Sequence, residues 1–161
     1  MEAASANVSL ESSRAFRAIF WGGLIAGILD ISYAFVASAL RGRGPIWVLQ
    51  SVASGLLGAN AFKGGIATAA LGTVLHFLIA FVAATIYYLA SRRLKFLVRQ
   101  AVVFGLLYGI AVYFFMNFVV LPLSAFPFKV SYPFALLIRG VIGHMLLVGL
   151  PISLAVRRYT K

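Results

Sequence analysis

Cysteine is absent from this 161-residue chain. Its absence excludes a disulfide framework, a thiolate metal site and a cysteine nucleophile. Carboxylates are almost as scarce, with three Asp and Glu residues against 14 Lys and Arg. Glu2 and Glu11 lie in a polar N-terminal stretch, and Asp30 stands alone inside GLIAGILDISYAF (23–35). Charged residues make up 11% of the chain, less than half the about 25% of a soluble globular domain. An ordinary soluble domain is therefore excluded. Also missing are the G-x-x-x-x-G-K-[ST] phosphate loop, the H-E-x-x-H helix and the G-x-S-x-G elbow. Catalysis would fall to Asp30, the two histidines, or a nearby hydroxyl such as Ser32 or Ser38. Hydroxyls in membrane helices usually bond their own backbone, so we expect no enzymatic activity.

What the chain does contain is apolar sequence, 63% of its residues with a mean hydropathy of +1.02. About 20 consecutive apolar residues cross a hydrocarbon core of roughly 30 Å as a helix, and a helix satisfies its own backbone groups in lipid. Four stretches qualify, at about residues 18–40, 65–90, 100–121 and 133–156. RGRGP (41–45) ends the first, SRRLK the second, Pro122 the third, and Arg157 and Arg158 the fourth. The fold class expected is all-α, a polytopic membrane protein of four transmembrane helices in one domain, 18–158. Residues 1–17 form a polar tail, disordered or interfacial, that does not resemble a cleaved signal.

Between the first two spans, residues 45–60 predict a fifth, shorter helix. Pro45 suits a first helical turn, while Gln50, Ser51, Ser54 and Gly58 make a weakly polar stripe. Such a helix lies in the interface or re-enters the bundle. It serves either as packing or as a lid or pore-lining element.

A net charge of +11 on a soluble protein would suggest nucleic acid. Here the basic residues flank the spans, so they set topology and meet anionic headgroups instead; the partner expected is the lipid bilayer, with no nucleic acid. Four crossings place both termini on one side with the loop between spans two and three. That side collects Arg14, Arg17, Arg92, Arg93, Lys95, Arg99, Arg157, Arg158 and Lys161, against Arg41, Arg43, Lys63 and Lys129 on the other. The excess of Lys and Arg orients both termini toward the cytoplasm. Trp21, Trp47, Tyr87, Tyr88 and Tyr132 fall near span ends as an aromatic belt.

Each span carries a costly polar residue: Asp30, His76, Asn117, and His144 with Arg139 in the outer half of the same span. Asp30, His76 and His144 are central in their spans, so they share a depth and could meet. Helical spacing sets them on small-residue faces. Gly23, Gly27, Asp30, Ala34 and Ala37 share one; Gly72, His76, Ala80 and Ala84 form an i, i+4 ridge. Gly105 and Gly109 line up with Tyr113 and Asn117, and Gly140 stacks on His144. Small faces are where membrane helices pack closely. A lone ionised Asp at mid-bilayer costs about 3 kcal/mol on insertion scales. A buried latch to Arg139 or a histidine would relieve it, as would protonation or a hydrated cavity. Other readings of the set are a proton relay or cation path, a haem held between His76 and His144, and a metal ion on Asp30, His76 and His144.

Four segments also resemble a known family: GLIAG (23–27), LHFLIAFVAATIYY (75–88), VVFGLLYGIAVYFFMNFVVLPLS (102–124) and GHMLLVGLPISLAVRR (143–158). Together they are similar to the YagU-like inner-membrane proteins of bacteria. The resemblance implies a helical protein of the bacterial inner membrane and gives weight to His76 and His144; it implies no reaction. The leading expectation is a non-enzymatic module without a cofactor, packing through its small-residue faces into a homo-oligomer or a larger membrane complex. The alternative is proton- or ion-coupled permeation through Asp30, His76 and His144.

Overall fold

The computed structural model describes residues 2–129 and 133–160, with side chains from Glu11 onward. Tyr132 and Lys161, assigned above to the aromatic belt and to the basic face, lie outside the described residues. Among the described residues the chain is helical and contains no strand. Helix α1 (Glu2–Ala39) is followed by α2 (Pro45–Leu57), a 3-10 turn (Gly58–Lys63), α3 (Gly65–Arg93) and the short α4 (Phe96–Arg99). The third span is α5 (Ala101–Phe115), a π-helical turn (Met116–Val120) and α6 (Leu121–Leu123). The fourth is α7 (Phe134–His144), a second π turn (Met145–Gly149) and α8 (Leu150–Thr160). Four segments are long and apolar enough to cross a membrane: Glu11–Ala39, Gly65–Arg93, Ala101–Leu123 and Phe134–Thr160.

The first helix does not wait for residue 18. Nothing between Glu2 and Trp21 is Gly or Pro, and Ala, Leu, Glu and Arg are good helix formers. Apolar content marked where lipid begins, whereas the helix continues until something stops it. Gly42 (φ 73°) is that stop, with Arg41 and Arg43 N–H donating to the Ser38 carbonyl. Gly65 (φ 55°) begins α3 in the same left-handed region, which glycine adopts without strain.

Both π turns have a proline behind them. A proline inside a helix lacks the N–H and crowds the carbonyl four residues back. For Pro122 that residue is Phe118, inside the first π turn; for Pro151 it is Leu147, inside the second. The wider turn relieves the crowding, a device membrane helices tolerate; the fourth span runs on through α8, whereas the third ends at Leu123.

Helix α1 packs against α3 and α8, and α5 packs against α7, the second π turn and α8. The closest approaches use glycine. A Cβ at Gly109 would strike the His144 carbonyl, one at Gly105 the Ser153 hydroxyl, and one at Gly149 the Gly105 carbonyl. The resulting core, Ala18, Ala26, Ala84, Tyr87, Ile152 and Val156, lies toward the face that carries both termini. Large apolar side chains such as Ile28, Leu78, Val82 and Leu107 are exposed along the spans, the surface a lipid solvent requires.

Helix α2 lies along α3, where a Cβ at Gly72 would strike the Leu49 carbonyl. Its expected polar stripe is turned inward. Gln50 and Ser54 are buried, and Gln50 Nε2 donates to the Gly65 carbonyl (3.0 Å) and to Thr68 Oγ1 (3.3 Å). Ile46, Leu56 and Leu57 are exposed instead. A helix lying on water would show the reverse pattern. The far end of α2 is tied to the end of the third span by Ala125 N–H donating to the Gly55 carbonyl (2.9 Å).

Candidate functional site

Helices α3 and α5 stand apart in the middle of the bundle, bridged by Tyr108 Oη donating to the Ala83 carbonyl (2.7 Å). Between them lies a cavity of about 200 Å³. Asp30 enters it from α1, His76 from α3 and His144 from the end of α7, with Val112 and Met116 on the third span. Val52 adds a contribution from α2, so all four spans and the short helix share this one space. On the terminal side of the Tyr108 bridge, Tyr87 meets Tyr108 edge-on at 5.0 Å and donates to the Leu97 carbonyl (3.1 Å).

The small-residue ridges explain why the polar residues converge. Gly27 sits against Phe77 and Ala80, which lets α1 and α3 approach closely. His76 Nε2 consequently reaches the Gly27 carbonyl, at 2.9 Å. A carbonyl can only accept, so Nε2 carries a proton, and Nδ1 is the nitrogen left without a partner among the described residues. On the fourth span His144 Nδ1 donates to the Gly140 carbonyl of its own helix at 3.1 Å. That leaves Nε2 as the uncommitted nitrogen. The two rings are thus anchored through opposite nitrogens, each with one ring nitrogen uncommitted among the described residues.

Asp30 is half-buried and has no hydrogen bond or ion pair among the described residues. The latch expected from sequence is not formed. Arg139 is exposed, its side chain has no hydrogen bond or ion pair among the described residues, and its backbone carbonyl accepts from Tyr33 Oη at 3.5 Å. The reason is angular. Gly140 faces Tyr113 and His144 faces the cavity, so Arg139, about 100° around the helix from Gly140, turns outward. Neither histidine bonds Asp30 among the described residues; each is anchored by one nitrogen to a backbone carbonyl. No group of three His, Asp and Glu side chains among the described residues could hold a metal ion.

Asn117 does not line the cavity; its Nδ2 donates to the Tyr113 carbonyl one turn back (2.9 Å), beside the cavity residue Met116. The remaining glycines of the ridges are used within the chain: Gly23 meets Phe81, Gly72 meets Leu49, and Gly140 meets Tyr113. Sequence reasoning missed Tyr108, Val52 and Pro151. Tyr108 carried a signal, a phenol three residues after Gly105 and one before Gly109, on the edge of a small face. Pro151 carried one too, a proline seven residues beyond a central histidine. Comparison with protein-family models, with curated proteins and with solved structures finds no match, so the likeness to YagU-like proteins stands on the four quoted segments alone.

Proposed function

We propose that the protein is a membrane-embedded site for protons or a small cation, centred on the cavity that Asp30, His76 and His144 share. The observation that carries this reading is Asp30 itself, a carboxylate on a central cavity with no cationic partner among the described residues. An intramembrane acid in that condition must be protonated, hydrated or paired with a mobile cation. The uncommitted ring nitrogens of His76 and His144 offer two further proton sites in the same space. Ligand pockets for drug-sized molecules run about 300–1,000 Å³, so a cavity of about 200 Å³ suits a proton or a partly hydrated ion and argues against a haem between the two histidines.

The interaction-module reading loses its motive. The glycine faces that suggested a partner are occupied inside the chain, by Phe81, Phe77, Leu49, Ser153, His144 and Tyr113. Helix α2 fits the role of a lid. Val52 reaches the cavity, and Gly42 and Gly44 precede the helix while Gly64 and Gly65 follow it. The basic residues on the terminal face and the YagU-like segments support a bacterial inner membrane with both termini cytoplasmic.

Purified protein in vesicles carrying an internal pH dye tests the proposal. An imposed gradient of protons, sodium or potassium should dissipate faster than in empty vesicles, and Asp30→Asn should remove at least 90% of the excess rate. Equal rates for wild type and Asp30→Asn would overturn it.

A further inference from the structure

A second concavity, of about 390 Å³, opens on the terminal face between α1, α3, α4 and α8. Four cations line it: Arg14 from α1, Arg92 from the last turn of α3, Lys95 from the connection, and Arg99 from α4. One carboxylate faces them, Glu11, whose Oε2 is 3.6 Å from Arg92 Nη2. Arg14, Lys95 and Arg99 have no ion pair among the described residues. The lining therefore carries three more positive than negative side chains, held around one hollow instead of spread over a surface. Such an arrangement repels itself unless an anion occupies it.

The polar groups of the wall suit a phosphate. Tyr88, only 5% exposed, accepts a hydrogen bond at its hydroxyl from Arg92 Nη1 (3.4 Å), which leaves its own O–H to donate. Guanidinium groups match phosphate oxygens through paired, charge-assisted hydrogen bonds, and three of the four cations are arginines. The position identifies the source. Arg92, Lys95 and Arg99 follow directly on the apolar part of the second span, and Arg14 precedes that of the first, where headgroups begin. Leu94 and Phe96, on the same connection, are exposed, offering apolar surface beside the basic hollow for an acyl chain. Basic hollows between membrane helices at that level hold anionic headgroups.

We propose that this pocket binds the phosphate of an anionic phospholipid, with Arg14, Arg92 and Arg99 as its principal contacts. Glu11 competes with the phosphate for Arg92, so it sets the affinity. This site is separate from the central cavity and does not depend on the reading given to it.

The test measures lipid retention by native mass spectrometry on full-length protein, with phosphatidylglycerol against phosphatidylcholine added to the same detergent. Wild type should retain phosphatidylglycerol preferentially. Arg99→Gln should weaken that preference about fivefold, and Glu11→Gln should strengthen it by a similar factor. Arg158→Gln, the same charge change on the same face but outside the pocket, should leave it unchanged. A parallel titration with inorganic phosphate distinguishes the sources: displacement of phosphatidylglycerol only at far higher concentration supports the lipid as ligand. Displacement at equal concentration would overturn the lipid assignment. Equal effects of Arg99→Gln and Arg158→Gln, or weaker binding in Glu11→Gln, would overturn the site.

Discussion

The central cavity and the terminal pocket are unbalanced in opposite senses. In the cavity one carboxylate, Asp30, faces two imidazoles that both spend a proton on backbone carbonyls. In the pocket four cations share one carboxylate, Glu11. The wall around Asp30 is otherwise apolar, with Ala26, Val52, Ile79, Val112 and Val148, so its charge problem must be met from within the bundle. The pocket opens where headgroups and water supply anions. The contrast teaches that position along the membrane normal decides what an unpaired charge can recruit: protons or small cations at depth, phosphate at the edge.

The largest way to break this contrast is to separate the helices that build the cavity. Gly109→Leu would drive a side chain into the backbone at His144 and Met145, a clash with main chain that costs about 3 kcal/mol. It should lower the thermal unfolding midpoint and abolish any cation flux. The terminal pocket is lined by α1, α3, α4 and α8, so any folded fraction should still retain phosphatidylglycerol. Loss of lipid retention in that folded fraction would show that the two regions are coupled.

Tyr108→Phe is milder. It deletes the bridge from α5 to the Ala83 carbonyl without changing the packed volume. The expected loss is about 1 kcal/mol, measured by thermal or denaturant unfolding in detergent, and the α3–α5 gap should become more accessible to labelling reagents. A variant as stable as wild type would mean that packing alone holds the gap. The smallest effect has the opposite sign. Ser38 is 1% exposed and its hydroxyl has no hydrogen-bond partner among the described residues, so Ser38→Ala removes a buried polar group at almost no loss of packing. It should be neutral or stabilising by up to about 1 kcal/mol, away from both sites. Clear destabilisation would show that the hydroxyl has a partner in the membrane.

Much of the architecture is legible in the composition. Runs of apolar residues interrupted by clustered arginines locate the spans, because lipid admits few alternatives to a helix. The depth of Asp30, His76 and His144 is legible too, since each sits mid-span, and their small-residue faces point them inward. Three features are not. The polar stripe of α2 fits a helix in the interface as well as one packed against the bundle, and Gln50 is spent on Gly65 and Thr68; a single sequence does not say which helix will accept it. Arg139 reads as a partner for Asp30 by depth, but its angle on α7 depends on Gly140 meeting Tyr113. Pro122 marks the end of the third span to within one residue, α6 ending at Leu123, but the π turn before it is not announced by the sequence. In the first two cases the deciding contact is between different helices, and local spacing does not determine it.

The central claim is that the acid at position 30 stands on a space that ions can reach from water. The chain contains no cysteine, so one introduced thiol can be followed without background. In reconstituted vesicles Asp30→Cys should react with a small cationic thiol reagent, and adding Val52→Trp under α2 should slow the reaction at least tenfold. Leu78→Cys, on the lipid-exposed surface of α3, should remain unlabelled. Labelling of Asp30→Cys no faster than that of Leu78→Cys would contradict the claim.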